Sequence, residues 1–171
     1  MQTTDTLRLR SLEFDNAATY LAASLFILGN IMLPQLLHLV PGGGVTWLPI
    51  YFFTLVGAYK YGWRVGLLTA IASPVVNSAL FGMPAAAALP AIMLKSSLLA
   101  VAAGYAAYRF RTVSLLIMAA VVASYQIVGT LGEWAMKGSL YAAMQDFRIG
   151  LPGMAVQTVG GWAFVKYLLR R

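Results

Sequence analysis

Three residues have the chemistry for a polar site in an otherwise apolar chain: His38, Lys95 and Glu133. A lysine favours a carboxylate or phosphate on a ligand and a glutamate an amine or ring N–H, while His38 has a second reading as an interfacial or backbone-capping residue. Around them stand amides and aromatic residues with hydrogen-bonding ends: Asn30, Gln35, Trp47, Asn77, Tyr125, Gln126, Trp134 and Gln157. What is missing narrows the chemistry. There is no cysteine, one histidine and five acidic residues, so thiolate sites are excluded and little remains for a metal or catalytic cluster. No phosphate-binding glycine loop, HExxH motif or serine–histidine–acid set occurs in a plausible context. The expectation is a binding protein with no catalytic residues, no metal and no cofactor, not an enzyme.

The elements that position these residues are membrane spans. Of the 171 residues, 60% are hydrophobic and 10% charged, with a mean hydropathy of +0.76. Soluble domains carry about 25% charged residues. A helix of about 20 apolar residues crosses a bilayer, so the chain has room for five to seven spans. Cut at Pro, Gly and charge, it yields six, at about 17–40, 48–59, 63–81, 91–108, 113–136 and 152–169. Residues 1–16 read as a polar cytoplasmic segment without a cleavable signal, and 17–171 as one transmembrane domain. Asp15-Asn16 is placed to cap the first span. The connection at 41–47, PGGGVTW, is rich in helix breakers, as is 82–90, and the polar stretch 137–150 has room for a short interfacial helix.

Charge sets the expected orientation. Arg8, Arg10, Lys60, Arg64, Arg109, Arg111, Lys166, Arg170 and Arg171 all fall on one side of a six-span arrangement, leaving Lys137 and Arg148 on the other and Lys95 inside a span. The positive-inside rule then places both termini in the cytoplasm. It also reads the net charge of +7 as topology and lipid contact, with no nucleic-acid partner. In this frame the polar residues of the spans gather in the extracytoplasmic half, while the inner half reads as Ala, Gly, Leu and Val. Ionisable groups within a membrane usually face a cavity or each other. An outward-facing small-molecule pocket is expected, with Lys95 and Glu133 either contacting ligand or pairing together. The amides have a second reading as interhelical hydrogen-bond partners, and the tryptophans as interfacial belt residues. Ala18/Ala22, Gly62/Gly66, Ala102/Ala106 and Ala103/Ala107 carry the small-xxx-small spacing that lets helices approach closely. The alternative class is a stand-alone secondary transporter or channel, which requires polar groups continuing into the cytoplasmic half.

WLPIYFFTLVGAYKYGWRVGLLTAIASPVVNSALFGMP, followed by ALPAIMLKSSLLAVAAGYAAYR, resembles the substrate-binding subunits (S components) of energy-coupling factor (ECF) transporters. The features carrying the resemblance are Leu48-Pro49, Gly57 with Tyr61-Gly62 and Gly66, Ser73-Pro74, Gly82-Met83-Pro84 and Leu89-Pro90, with LPGMAVQ opening the last span. The resemblance covers about 17–169. It implies a six-helix bundle in a bacterial or archaeal cytoplasmic membrane that binds a vitamin or related micronutrient tightly in its outer half. It further implies docking, through a stripe matched by Ala18 and Ala22, on a transmembrane coupling subunit driven by two ATPases. The loop PGGGVTW corresponds to the family's first external loop, which helps gate the site. Ligand identity does not carry over, and the third external loop lacks the aromatic-rich thiamine signature. With Lys95 and Glu133 both on the ligand, a zwitterionic or carboxylated compound such as biotin, pantothenate or niacin fits. With the two paired, a neutral flavin-, cobalamin- or deazapurine-like compound is equally open.

Overall fold

In the computed structural model, residues 11–168 are described, and every regular element among them is helical. Arg8, Arg10, Arg170 and Arg171 lie outside the described residues. The long helices are α1 (Ala17–Leu37), α4 (Trp63–Phe81), α5 (Leu89–Phe110) and α6 (Leu115–Lys137). Between and after them come α2 (Gly43–Trp47), α3 (Phe52–Tyr61), α7 (Leu140–Ala143), α8 (Gln145–Ile149) and α9 (Leu151–Ala163). Short 3-10 turns, Pro49–Tyr51 and Ala86–Ala88, lead into α3 and α5, and a π turn, Phe164–Leu168, prolongs α9.

Local chemistry sets these boundaries. The Asn16 side chain accepts from the Ala18 N–H at 2.9 Å and so satisfies a free donor at the start of α1. Ser114 does the same for α6, accepting from Ile117 N–H at 3.2 Å. Pro90 stands in the first turn of α5, where its missing N–H costs nothing. Gly62, at φ 97°, is the whole link between α3 and α4, so the chain reverses there in a conformation only glycine adopts freely. The helix α4 runs through Pro74 without interruption. Ser73 Oγ donates to the Thr69 carbonyl at 2.6 Å and Asn77 Nδ2 to the Ser73 carbonyl at 3.1 Å, so hydroxyl and amide donors flank the proline.

Helices α1, α4 and α6, and the segment Ala86–Phe110 containing α5, are long and apolar enough to cross a bilayer. Their outer faces present Leu25, Leu28, Met32, Leu36, Val101, Leu116, Ile127 and Leu131, the surface of a membrane-embedded bundle. The expected second and sixth spans are helical but different in kind. Residues 49–61 rise about 20 Å at the helical repeat, short of the ~30 Å hydrocarbon core. Residues 151–168 form a continuous helical run of about 27 Å.

The pairs α4/α5 and α5/α6 run antiparallel across short links, whereas α1 and α4, with α3 returning between them, finish at the same end. The most extensive contacts are α4 with α5 and α5 with α6, while α1 and α3 pack on α4. Leu55, Val56, Ala58, Tyr59, Val65, Leu99, Ala100 and Ala103 fill the centre without exposure. Small residues set the spacing there. A Cβ on Gly66 would meet Ala58 and Ala100, and one on Gly104 would meet the backbone of Trp63. Gly104→Val has no yielding neighbour, so it is expected to destabilise the bundle by about 2 kcal/mol through overpacking. An unchanged melting temperature in detergent would contradict that contact.

Among the described residues, five of the nine cations expected on one side gather at one end. At one end Arg64 pairs with Glu13 at 2.6 Å and lies 4.8 Å from the Trp63 ring, while the Leu12 N–H bonds the Tyr61 carbonyl at 3.0 Å. Arg109, Arg111 and Lys166 sit on the same end. The interior of this half is not wholly apolar, which corrects the sequence reading: Lys60 and Thr69 are buried in it. Thr69 turns its hydroxyl back onto its own helix, donating to the Val65 carbonyl at 2.9 Å.

Candidate functional site

A cavity of about 250 Å³ opens at the other end, where α1, α4 and α6 finish and α3 and α5 begin. Pro34 and His38 of α1, Gly44 and Val45 of α2, and the stretch Leu48 to Tyr51 form one side. Asn77 of α4, the loop residues Met83, Pro84 and Ala88, and Ala91, Ile92 and Lys95 of α5 form a second. Glu133 and Lys137 of α6 and Gln145 and Asp146 of α8 complete it. Most of this wall is apolar, and its charge is concentrated in one cluster.

In that cluster Lys95 Nζ lies 2.5 Å from Glu133 Oε2 and 2.8 Å from Asp146 Oδ2, and Lys137 Nζ lies 2.5 Å from Glu133 Oε1. The Lys95 side chain is 3% exposed and that of Glu133 8%, whereas Lys137, one turn farther along α6, reaches the rim at 37%. Two cations therefore meet two carboxylates. Burying either sign alone would carry a desolvation penalty of several kcal/mol per ion, which close pairing offsets. Of the two sequence alternatives for Lys95 and Glu133 the pairing is seen, and both residues also border the cavity. Asp146 and Lys137 escaped sequence reasoning. The only signal was the polarity of 137–150, one stretch among several connections, and nothing local ties Asp146 to Lys95, 51 residues earlier.

The remaining expected residues divide into groups. His38 and Asn77 line the cavity. Asn30 and Gln35 are not in its walls and instead bind helices together. Asn30 Nδ2 donates to Thr54 Oγ1 at 3.0 Å and to Ser73 Oγ at 3.4 Å, and Asn30 Oδ1 accepts from Phe53 N–H at 3.1 Å. Asn77 Nδ2 donates to the Asn30 carbonyl at 2.9 Å, and Asn77 Oδ1 accepts from Gln35 Nε2 at 3.3 Å. This network ties α1, α3 and α4 together behind the cavity wall. Tyr125, Gln126 and Gln157 also lie outside the walls, buried between α6 and α9. There the Tyr125 hydroxyl donates to Gln157 Oε1 at 2.8 Å and accepts from Gln126 Nε2 at 3.0 Å. Trp47 and Trp134 are partly exposed and border no part of the cavity. Of the stripe on α1, Ala18 is exposed and Ala22 half-buried.

The arrangement offers a ligand an apolar, half-open cavity, a charge cluster with no net charge, an amide and an imidazole. Among the described residues, no three His, Asp or Glu side chains converge on a point that a metal ion could occupy. No family model matches the chain, and neither a curated protein nor a solved structure matches it.

Proposed function

We propose that this protein is the high-affinity, membrane-embedded binding subunit of an ATP-driven importer of the energy-coupling factor type, holding a vitamin or related micronutrient. The observation that carries the reading is the one-ended site: an open, largely apolar cavity with a buried, compensated charge cluster, at the end opposite the arginine- and lysine-bearing turns. Small-molecule sites have this make-up, apolar walls with a few placed polar groups. In the proposed topology α3 and α9 complete six crossings, both termini are cytoplasmic, and the cavity opens to the outside of a bacterial or archaeal cytoplasmic membrane. A stand-alone transporter would need a polar path to the other end, yet Leu55, Leu99, Ala100, Ala103 and Met118 fill the middle of the bundle. No reaction is assigned to the chain itself. ATP hydrolysis belongs to partner ATPases acting through a transmembrane coupling subunit.

Filling the cavity tests this reading. Ala88 borders it from the turn that precedes α5, outside the packed core, so Ala88→Trp is expected to leave the melting temperature nearly unchanged while abolishing retention of the bound compound. Undiminished retention would sink the assignment of the cavity as the binding site. Docking on the coupling subunit is tested at the other end. Ala18→Trp adds bulk on an exposed face far from the cavity, so binding should persist while uptake by cells falls at least about tenfold. Normal uptake would remove Ala18 from the docking surface.

A further inference from the structure

Beneath the cavity floor lies a second polar group, built from uncharged side chains. On α6, Gln126, Thr130 and Glu133 recur at intervals of four and three and therefore share one helix face. Glu133 borders the cavity; Thr130 lies one turn deeper and Gln126 two turns deeper, about 10 Å along the axis. On α5, Ile92 borders the cavity and Ser96 sits one turn below it. Tyr51 borders the cavity, and its ring lies 5.5 Å from that of Tyr125, so it links the wall to this deeper group.

The two amides are each half used. Gln126 Nε2 and Gln157 Oε1 share the Tyr125 hydroxyl. Gln126 Oε1, Gln157 Nε2 and the hydroxyls of Thr130 and Ser96 have no hydrogen-bond partner among the described residues, although each side chain is more than nine-tenths buried. Unpaired buried donors and acceptors are costly, and hydrocarbon supplies no water to relieve them. An open acceptor and an open donor, fixed on either side of one phenol oxygen, complement the adjacent N–H and C=O of a cyclic amide. The charge cluster adds a second constraint. Its two lysines and two carboxylates already neutralise one another, so a ligand with net charge would bring an unpaired ion into a buried site.

We propose that Gln126, Gln157 and Thr130 form a recognition subsite below the cavity, which takes the N–H/C=O edge of an uncharged heterocycle once the Tyr51 ring turns aside. This rests on the reading of the cavity as a ligand site. The probes are quinazolin-4(3H)-one, which carries the edge, its 3-methyl derivative, which lacks the N–H, and quinoline-4-carboxylate, which is charged. Binding is read by thermal shift and equilibrium titration on the purified full chain. The parent lactam should bind, methylation should weaken it at least about tenfold, and the carboxylate should bind no better than the methyl derivative. Thr130→Val removes a hydroxyl with no partner, so the fold persists while lactam binding falls about tenfold; Gln126→Leu should remove it. If lactam binding survives both substitutions but is lost in Ala88→Trp, the subsite is overturned and the cavity reading stands. The subsite is likewise overturned if the carboxylate is the tightest probe. If the chain binds no probe and retains no cellular compound, the cavity reading fails and takes the subsite with it.

Discussion

Lys95→Met is expected to lower the stability of the purified protein by roughly 3 kcal/mol, the scale of breaking a buried ion pair by removing one partner. The Lys95 ammonium bridges Glu133 and Asp146, and without it Asp146 keeps a carboxylate in the cavity wall with no cation on it among the described residues. Glu133 retains Lys137, so the damage concentrates on Asp146 and on α8, which the ion pair tethers to α5. That asymmetry gives a sharper result than the single variant alone. Adding Asp146→Asn to Lys95→Met should restore most of the lost stability, whereas adding Glu133→Gln should restore less. Ligand binding should be weakened in the single variant and remain so in the rescued double variant, because a residue of the cavity wall has been replaced in both. Thermal unfolding of the three proteins in one detergent measures the first effect, and titration of the bound compound the second. A single variant that melts like the parent protein would contradict the cluster.

Asn30→Leu is expected to cost about 2–3 kcal/mol while leaving the affinity of the folded protein for its ligand unchanged. The Asn30 side chain is wholly buried, gives its amide hydrogens to Thr54 and Ser73, and accepts the Phe53 N–H in the first turn of α3. Such first-turn donors have no partner within their own helix. Leucine preserves much of the volume but strands that N–H and takes the donor from Thr54 Oγ1, while Ser73 Oγ keeps its bond to the Thr69 carbonyl; stranding buried polar groups costs about 1–3 kcal/mol. Because Asn30 does not border the cavity, the cost should appear in unfolding and not in binding. An affinity loss at unchanged stability would reverse the assignment and put Asn30 in the ligand site.

The contrast between Lys95 and Asn30 marks how far the sequence can be read. The long helices are legible because apolar length and breaker residues are local properties. The span expected at 63–81 is α4 residue for residue, and those expected at 91–108 and 113–136 lie within α5 and within two residues of α6. The first expected span is three residues too long, since the helix closes at Leu37 and the chain turns at His38. The position of each polar residue along its helix is legible too, because it follows from the span boundaries. Rotation is not. A membrane helix apolar on all sides has no amphipathic stripe to fix which face turns inward, so Asn30, which ties helices, and Asn77, which also borders the cavity, look alike in sequence. Asp146 is hidden for a different reason. Its role depends on α8 folding back over the start of α5, a contact between segments far apart in the chain.

Whether the chain holds an uncharged small molecule in this cavity is decided by native mass spectrometry of the protein purified from cells grown in rich medium. One compound per chain, neutral at pH 7, is expected on the parent protein and should be absent from Ala88→Trp. A parent protein that carries no compound and binds none across a panel of vitamins would contradict the assignment.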